Sequence, residues 1–577
     1  MDGMTTEQGL LIFGCAVFLF LIVQFSRNQK KNKEKFLCKA REGFGKVPER
    51  EYDVQELERI SHYFKNYCAG AEFYLDDLTW NDIGMEDVFL LMNQTYSSIG
   101  EDYLYWLLRT PVTDEKVLRE RHRLICYFQT HEEERLKLQH VYHQLGRMRA
   151  HSVTDYFKRL MELPQESNIR HYAVILAELL SVALLFINGT LGGLCLAASI
   201  VYGIADYYKR KGIAEPYFVC FRQITGMLYY TDELTKTGIA ELSTYWKELK
   251  EIKKECQGLL KGSRLITARQ AAGSLGEVVL DYVRILTHVD LIQFNKMLWL
   301  AKSKKKEIRR MMEIFGFLES MIAAASFREL LGEYCIPEFE AAADRPSFVI
   351  KGMYHPQIDE PVPNDISVPC AGQGARQSGV LITGSNASGK STFLKTVGIC
   401  SVLAQTIMTV PAERYRANFF KLYSSMAVKD DLNLKESYYL AEIKALRRIL
   451  IAGEQERQQG GYVLCLVDEV LRGTNTVERI AASAQVLKGL SGGNILCFAA
   501  THDIELTYML EQLYANYHFE EEICDGDIRF DYQLRTGRAV TRNAIRLLSL
   551  LGYPEEMTEA AETAAREFME KGEWKCL

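Results

Sequence analysis

A glycine-rich loop between an apolar strand and a helix is the feature that most restricts the fold of this chain. The sequence SGVLITGSNASGKSTFLKTVGIC, residues 378–400, predicts a strand at Val380–Thr383, the loop GSNASGKS and then a helix. The loop fits GxxxxGK[ST], in which glycines let backbone N–H groups close around phosphate oxygens and the helix N-terminus adds a favourable dipole. The predicted nucleotide contacts are Gly384, Ser385, Asn386, Ala387, Ser388, Gly389, Lys390, Ser391 and Thr392.

Two later predicted strands also end in polar residues. GYVLCLVDEV, residues 461–470, predicts a buried strand that ends in Asp468 and Glu469, and NILCFAATHD, residues 494–503, predicts another that ends just before His502. Strands alternate with helices from about residue 378 to 505, which predicts a doubly wound α/β domain. In such a domain the nucleotide binds where the strands end.

These residue types fit Mg·ATP chemistry when they meet at one edge of the sheet. Lys390 can reach the β- and γ-phosphates, while Ser391 and Asp468 can hold Mg²⁺. Glu469 can polarise the attacking water, and His502 can contact the γ-phosphate or that water. The sequence therefore predicts ATP and Mg²⁺ as ligands, with Glu469 and His502 as the catalytic pair.

The pentapeptide LSGGN, residues 490–494, looks like the start of the LSGGQ signature of transporter ATPases. In transporters that signature comes before the strand that ends in the acidic pair, whereas here it comes after that strand. Two glycines at the end of a helix favour a cap and a tight turn. We therefore predict that LSGGN is a structural turn.

Three apolar segments indicate a membrane protein. The run at Gly9–Phe25 is uncharged and spans roughly 25 Å as a helix, which is at the short end for a membrane crossing. A second apolar region, residues 172–208, is broken by INGTLGG and predicts a helical hairpin, either in the membrane or as a buried pair in a soluble core. Basic residues follow the first run and flank the hairpin. Because such residues prefer the cytoplasmic side, this pattern predicts a protein of the cell membrane with the rest of the chain in the cytoplasm. The basic residues are Arg27, Lys30, Lys31, Lys33, Lys35, Arg170, Lys209, Arg210 and Lys211.

Composition excludes some classes of protein. The net charge of −6 gives no overall attraction to nucleic acid, so any basic surface must be local. One local basic run, KSKKKEIRR at 302–310, suits phosphates of DNA or lipid, or else a solvated helix face. The 14 cysteines show no CxxC pair or His/Cys cluster, which argues against a structural zinc site and for reduced thiols in a cytosolic compartment.

The motifs in this order resemble those of the MutS family of mismatch-repair ATPases. The family's Asp-Asp-Leu and Ser-Thr-Phe…Glu segment is similar to DDL at 430–432, SYY at 437–439 and Glu442. DEVLRGTNT (468–476) and ATHDIELT (500–507) resemble its next two motifs. Further similar stretches are VPAERYRA (410–417), MYHPQI (353–358), RNAIRLLSLLGYP (542–554) and residues 87–125.

This resemblance implies a homodimer, formed through the ATPase domain, that binds duplex DNA. Ser437 would complete the ATP site of the other subunit, although Lys435 and Glu436 stand where the family has Gly-Arg. A carboxylate beside a γ-phosphate is electrostatically unfavourable, so this departure bears directly on the trans contact. Only about 50 residues, roughly 36–85, precede the helical core, too few for the domain that reads mismatches in the family.

The predicted fold class is α+α/β, with three parts. Residues 1–35 form a transmembrane anchor, 36–345 a helical core and lever domain with the hairpin at 172–208, and 346–577 an ATPase domain with C-terminal dimerisation helices. The predicted function couples the ATP state to duplex DNA, whether mismatched or branched, at the membrane. The alternatives are a transport or membrane-remodelling ATPase and an ATP-dependent scaffold that does not bind DNA.

Overall fold

A computed structural model describes most of the chain and divides it into two compact units. Unit 1 comprises residues 1–70, 92–107 and 123–330, and unit 2 comprises 71–91, 108–122 and 331–577. The described residues are 6–148, 152–267, 275–340, 345–368, 377–385, 388–426, 438–471, 475–524, 527–539, 545, 548–549, 552–571 and 574.

The described residues form a mixed helical and sheet structure, in agreement with the mixed class predicted from the sequence. The helices are α1 (Thr6–Gly43), α2 (Val54–Tyr67), α3 (Asp77–Asp82), α4 (Met85–Met92), α5 (Ser98–Arg109), α6 (Glu115–Thr130), α7 (Glu132–Leu145), α8 (Val153–Glu162), α9 (Ile169–Leu185), α10 (Gly189–Lys236), α11 (Ser243–Cys256), α12 (Arg264–Thr267), α13 (Leu275–Thr287), α14 (Val289–Ser303), α15 (Lys305–Leu331), α16 (Lys390–Ile407), α17 (Tyr438–Gln459), α18 (Thr476–Gly489), α19 (Ile504–Met509) and α20 (Glu555–Lys571). The strands are β1 (Glu338–Phe339), β2 (Phe348–Met353), β3 (Asn364–Val368), β4 (Gly379–Thr383), β5 (Arg414–Ala417), β6 (Phe420–Ser425), β7 (Tyr462–Asp468), β8 (Ile495–Ala500), β9 (Tyr514–Cys524) and β10 (Asp527–Thr536).

Unit 1 is helical and is built around α15. Most side chains between Ile308 and Arg328 are buried, because this helix is enclosed by others along its length. The last part of α1 joins this bundle: the ring of Phe36 stacks on that of His143 with 4.1 Å between centroids. Earlier in α1 the described apolar side chains, such as Phe20 and Phe25, are exposed.

The predicted hairpin is helical in the structure, but its second helix is much longer than the sequence suggests. The break falls between α9 and α10, where Asn188 caps α10 by accepting a hydrogen bond from the backbone N–H of Leu191 at 3.1 Å. Gly192 permits the close approach of the two helices, since a Cβ there would lie 2.4 Å from the backbone nitrogen of Leu185. Among the described residues, α10 contains an 18-residue stretch that is long and apolar enough to cross a membrane and only 17% buried.

Unit 2 contains a six-stranded sheet with the order β10-β9-β4-β8-β7-β6 among its described residues. The strands β9, β4, β8, β7 and β6 are parallel to their neighbours, and β10 pairs antiparallel with β9. Every residue of β4 and β8 is buried, as expected for strands covered on both faces. A second, four-stranded sheet has the order β1-β5-β2-β3.

An early segment of the chain completes unit 2 at the β6 edge of the sheet. The Asp82 carboxylate accepts hydrogen bonds from the Ser424 hydroxyl at 2.6 Å and from the Met426 N–H at 2.9 Å. Arg448 of α17 pairs with Asp76 on the same side. Residues 71–91 therefore belong with the sheet, whereas the sequence analysis assigns them to the helical domain 36–345.

The LSGGN segment forms a turn between α18 and β8. The Ser491 N–H bonds to the Lys488 carbonyl at 3.3 Å, and the Ile495 N–H bonds to the Gly492 carbonyl at 2.9 Å. The Asn494 side chain donates to the Gly453 carbonyl at 2.8 Å, which ties the turn to α17. These bonds confirm that the pentapeptide has a structural role in this chain.

Candidate functional site

The glycine-rich loop leaves β4 at the carboxyl edge of the sheet and leads directly into α16. Gly384 and Gly389 have φ values of 150° and 106°, which favour glycine. A Cβ on Gly384 would lie 2.9 Å from the Ser388 hydroxyl and 3.0 Å from the Phe519 carbonyl oxygen. A side chain at position 384 would therefore clash with Ser388 and with the backbone of β9, so this position requires glycine. Asn386 and Ala387 lie outside the described residues.

Lys390 opens α16 and is only 5% exposed. Its Nζ donates to the carbonyl oxygens of Gly384 at 2.8 Å and Ser385 at 2.7 Å. The ammonium group therefore lies against the loop, beside the positive end of the α16 dipole. A lysine so placed concentrates positive charge where the loop backbone turns, which suits an anionic ligand.

A hydroxyl and a carboxylate meet beside this loop. The Ser391 hydroxyl donates to Asp468 Oδ2 at 2.5 Å, although β8 lies between β4 and β7 in the sheet. Hydroxyl and carboxylate oxygens are donors that Mg²⁺ prefers, so the pair fits a magnesium site. The structure thus brings together the two metal ligands predicted from the sequence.

Glu469 and His502 form a second polar pair at the same edge. His502 Nε2 lies 2.9 Å from Glu469 Oε1, and the backbone N–H of Glu469 bonds to the Ala500 carbonyl at 2.9 Å. Glu469 has a φ of 55°, a left-handed conformation that is costly for a residue with a side chain. Such strain persists only where the surroundings enforce it, and it is concentrated at functional sites.

Two contacts hold the residues next to this pair, and neither contact was predicted from the sequence. The Glu442 carboxylate, 3% exposed on α17, accepts a hydrogen bond from the backbone N–H of Leu471. Arg479 of α18 makes a bidentate pair with Asp503, at 2.6 and 3.1 Å. Glu442 belongs to a motif but has no role predicted from it. Asp503 lies in the 500–507 motif, whereas Arg479 lies three residues beyond the end of the 468–476 motif.

A cavity of about 580 Å³ opens over the loop. Its walls are the loop and the start of α16, the segment 353–362, and the hairpin of β9 and β10. Ser388, Gly389, Lys390, Ser391, Thr392 and Glu469 all line it, so most of the predicted nucleotide contacts that are described surround one space. Burial lowers the pKa of His355 in the opposite wall, which keeps that imidazole neutral at pH 7.

Tyr532 is a cavity residue that the sequence analysis missed. It lies at a bulge in β10, has a φ of 53°, and comes within 3.3 Å of where a Cβ on Gly389 would be. Asn364 fixes the bulge, since its side chain donates to the Tyr532 carbonyl at 3.0 Å and accepts from the Leu534 N–H at 2.6 Å. Tyr532 is 46% exposed, and its ring offers a flat surface beside the glycine-rich loop.

A third predicted contact, after Asn386 and Ala387, also lies outside the described residues. Ser437, with the Asp430–Leu432 motif before it, lies in the range 427–437, outside the described residues. The described helix α17 begins immediately after it.

Comparison with known proteins gives a consistent match for the second half of the chain. Residues 380–569 match MutS domain V. The DNA mismatch repair protein MutS of Natronomonas pharaonis is 32% identical over 240 residues, which cover 40% of this chain and 26% of that protein. The proteins of the same name from Thermus aquaticus and Oceanobacillus iheyensis are 29% and 27% identical, covering 45% and 48% of this chain and 30% and 32% of theirs. The matches therefore span about a quarter to a third of the length of these relatives.

Proposed function

We propose that in this MutS family member, whose residues 380–569 match MutS domain V, unit 2 binds and hydrolyses Mg·ATP to control binding of duplex DNA at a membrane. The proposal that unit 2 binds ATP rests on the polar residues that meet at the carboxyl ends of β4, β7 and β8. There the Ser391–Asp468 and Glu469–His502 pairs flank a glycine loop that holds a buried lysine.

Each residue has one task in this proposal. The backbone of the loop and Lys390 bind the phosphates, and Tyr532 packs against the base. Ser391 and Asp468 would hold Mg²⁺, which neutralises charge on the phosphate oxygens when bound. Glu469 orients the attacking water and accepts its proton, and His502, 2.9 Å away, positions that carboxylate.

Replacement of Lys390 tests the ATP site. Lys390→Ala removes charge-assisted hydrogen bonds to phosphate, which should cost about 3 kcal/mol of the free energy of ATP binding. ATP should therefore bind more than 100-fold more weakly. Lys488→Ala, at an exposed position in the last turn of α18, is the matched control and leaves binding unchanged. Binding of a fluorescent ATP analogue to the full chain in detergent measures both. Equal affinity for the two variants would exclude this site.

DNA binding in this proposal rests on family membership and not on the basic run at 302–310. Lys304 pairs with Glu255 at 2.7 Å and Arg310 with Glu248 at 2.7 Å, so charge in this run is offset by carboxylates. Family members that recognise mismatches insert the phenylalanine of a Phe-x-Glu triplet into the duplex. This chain has such triplets at 317–319 and 519–521, but both phenylalanine rings are packed within the protein. Phe519 is 3% exposed, and Phe317 packs against Tyr245 with 5.8 Å between ring centroids.

The rate of ATP hydrolysis with duplex, branched and mismatched DNA tests this coupling. Stimulation by DNA that weakens with rising salt supports the proposal, because phosphate contacts release counterions. Stimulation by lipid vesicles alone supports instead an ATPase that acts on membranes. The exposed apolar side chains of α9 and α10, among them Leu179, Leu180 and Val201, favour that second candidate.

We also propose that the chain is anchored in the cell membrane through α1 and the α9–α10 hairpin, with unit 2 in the cytoplasm. The exposed apolar side chains of both segments suit lipid, and the basic residues that follow them suit the cytoplasmic face. Resistance to extraction at alkaline pH, together with access of protease to unit 2 only from the cytoplasmic side, is the expected result. Extraction into the soluble fraction would contradict it.

We propose a homodimer formed through the ATPase domain, in which Ser437 of each subunit reaches the ATP of the other. Light scattering with and without ATP measures the assembly. Mixing Ser437→Ala chains with Lys390→Ala chains tests the trans contact. In the mixed dimer the intact loop of the Ser437→Ala chain faces the unaltered serine of the Lys390→Ala chain. A trans role for Ser437 therefore predicts activity above that of either variant alone, and a mixture no more active than the separate variants would contradict it.

A further inference from the structure

Three ligand-type side chains converge in unit 1, far along the sequence from the ATP site. His171 lies in the first turn of α9, Asp206 on α10, and His288 between α13 and α14. One ligand atom from each lies within 4.8 Å of the other two. The imidazoles are 2% and 0% exposed and the Asp206 side chain is 9% exposed. The cluster is thus shielded from water at the base of the apolar hairpin.

The hydrogen bonds of His288 fix which of its nitrogens carries a lone pair. Nε2 lies 3.1 Å from the carbonyl oxygen of Gly203, which can only accept, so Nε2 carries the proton. In the neutral ring Nδ1 is then unprotonated, and it lies 2.9 Å from Nδ1 of His171. A histidine whose second nitrogen donates to a backbone carbonyl is the usual arrangement in metal sites, because it orients the ring.

The backbone holds this imidazole at some cost. His288 has a φ of 49°, and its N–H bonds to the Arg284 carbonyl at 2.8 Å. Left-handed conformations are uncommon for residues other than glycine and persist where the surroundings enforce them. The neighbouring Tyr207 ring lies 5.5 Å from that of His288, and its hydroxyl donates to Asp290 at 2.9 Å.

Two arginine side chains pair with the Asp206 carboxylate and orient it. Arg210 Nε lies 3.1 and 3.2 Å from the two carboxylate oxygens, and Arg210 also pairs with Glu166. Arg170 is more distant, at 3.9 Å. Because Arg210 divides its single positive charge between Glu166 and Asp206, it does not fully neutralise the Asp206 carboxylate. Asp206 can therefore bind a further cation.

We propose that His171, Asp206 and His288 bind one divalent transition-metal ion, with zinc as the reference ion, and that this ion ties the base of the hairpin to α14. Two imidazoles and a carboxylate form a typical three-residue set for such ions. Ligands about 2.05 Å from a tetrahedral ion are about 3.3 Å apart, so the two Nδ1 atoms need to separate by only about 0.4 Å. The site goes beyond the proposed ATPase and is independent of it.

Metal content and cobalt spectroscopy test the proposal. The full chain, purified in detergent with a tag that contains no histidine, is stripped with chelator and dialysed against zinc with excess Mg²⁺, which protects the nucleotide site. We expect one equivalent of zinc by mass spectrometry and d–d absorption bands with Co²⁺ but no sulfur-to-cobalt charge transfer. Less than a tenth of an equivalent, or a thiolate spectrum, would overturn the assignment.

Variants then assign the ligands. His171→Asn and His288→Asn each lower zinc affinity at least about tenfold, whereas His140→Asn, a partly exposed histidine of the same unit, leaves it unchanged. Asp206→Asn is a third ligand variant for the case that a histidine variant does not fold, as judged by circular dichroism. Zinc affinity equal to wild type in the folded ligand variants would refute the site.

Discussion

Replacement of Glu469 with Gln separates its proposed role as a general base from its contact with His502. Glutamine keeps the shape of the side chain and an acceptor oxygen, so the contact with His502 Nε2, now 2.9 Å, is retained. Only the ionised group is lost. General base catalysis contributes about 10²- to 10⁴-fold, so the barrier to hydrolysis should rise by about 2.7–5.5 kcal/mol.

Two measurements on the full chain in detergent define the outcome. Single-turnover phosphate release gives the rate of the chemical step, which should fall at least 100-fold. Binding of Mg·ATP should be retained within about threefold, because Lys390, Ser391 and Asp468 are unchanged. The variant should therefore accumulate with bound ATP.

Two controls frame this result. Glu505→Gln alters an exposed carboxylate in the first turn of α19 and should leave both measurements unchanged. His502→Ala removes a hydrogen bond to a charged group, worth about 1.5–3 kcal/mol, and should slow hydrolysis less than Glu469→Gln does. A fall of less than tenfold in the Glu469→Gln variant would show that another group activates the water.

Three further changes test other parts of the structure. Ser391→Ala removes a proposed metal ligand and should cost about 1.4 kcal/mol of the free energy of Mg²⁺ binding. The Mg²⁺ concentration for half-maximal hydrolysis, measured by titration at saturating ATP, should then rise about tenfold. Tyr532→Ala removes an aromatic surface worth about 1–3 kcal/mol for a stacked base and weakens ATP binding about tenfold, whereas Tyr532→Phe binds normally. Burial raises the pKa of Glu319 to about 7, above the ordinary value of 4.5, so the folded state holds this proton more tightly than the unfolded state. Stability of unit 1 should then fall as pH rises from about 4.5 to 7, by up to about 3.4 kcal/mol, and Glu319→Gln should remove that slope in hydrogen exchange of α15.

The parts of the site that follow from local sequence could be predicted. A glycine loop between strand and helix, and carboxylates at the end of a buried strand, are encoded within a few residues each. Parallel strands then bring their carboxyl ends to one edge, which is why Ser391 and Asp468 could be paired although 77 positions apart. The break at Asn188 was likewise visible as a local turn signal.

What the sequence could not give are contacts that depend on irregular backbone or distant elements. Tyr532 enters the cavity only because β10 shifts register between Phe530 and Leu534, and Asn364, on another sheet, holds it there. No local pattern predicts a bulge of this kind. The assignment of residues 71–91 to unit 2 depends on Asp82 meeting Ser424, 342 positions away.

The segment after β7 links the proposed catalytic pair, Glu469 and His502, to two helices at once. Glu469 and Leu471 both have positive φ, at 55° and 59°, and neither is a glycine. Glu442 on α17 holds the Leu471 N–H, while α18 is joined through Arg479 to Asp503, the residue next to His502. Strain of this kind is released when the contacts that enforce it move. In the proposed ATPase, a shift of Glu469 between states with and without the γ-phosphate would therefore be transmitted through these contacts to α17 and α18. Since α17 begins at Tyr438, directly after Ser437, the same path leads to the residue proposed to act across the dimer.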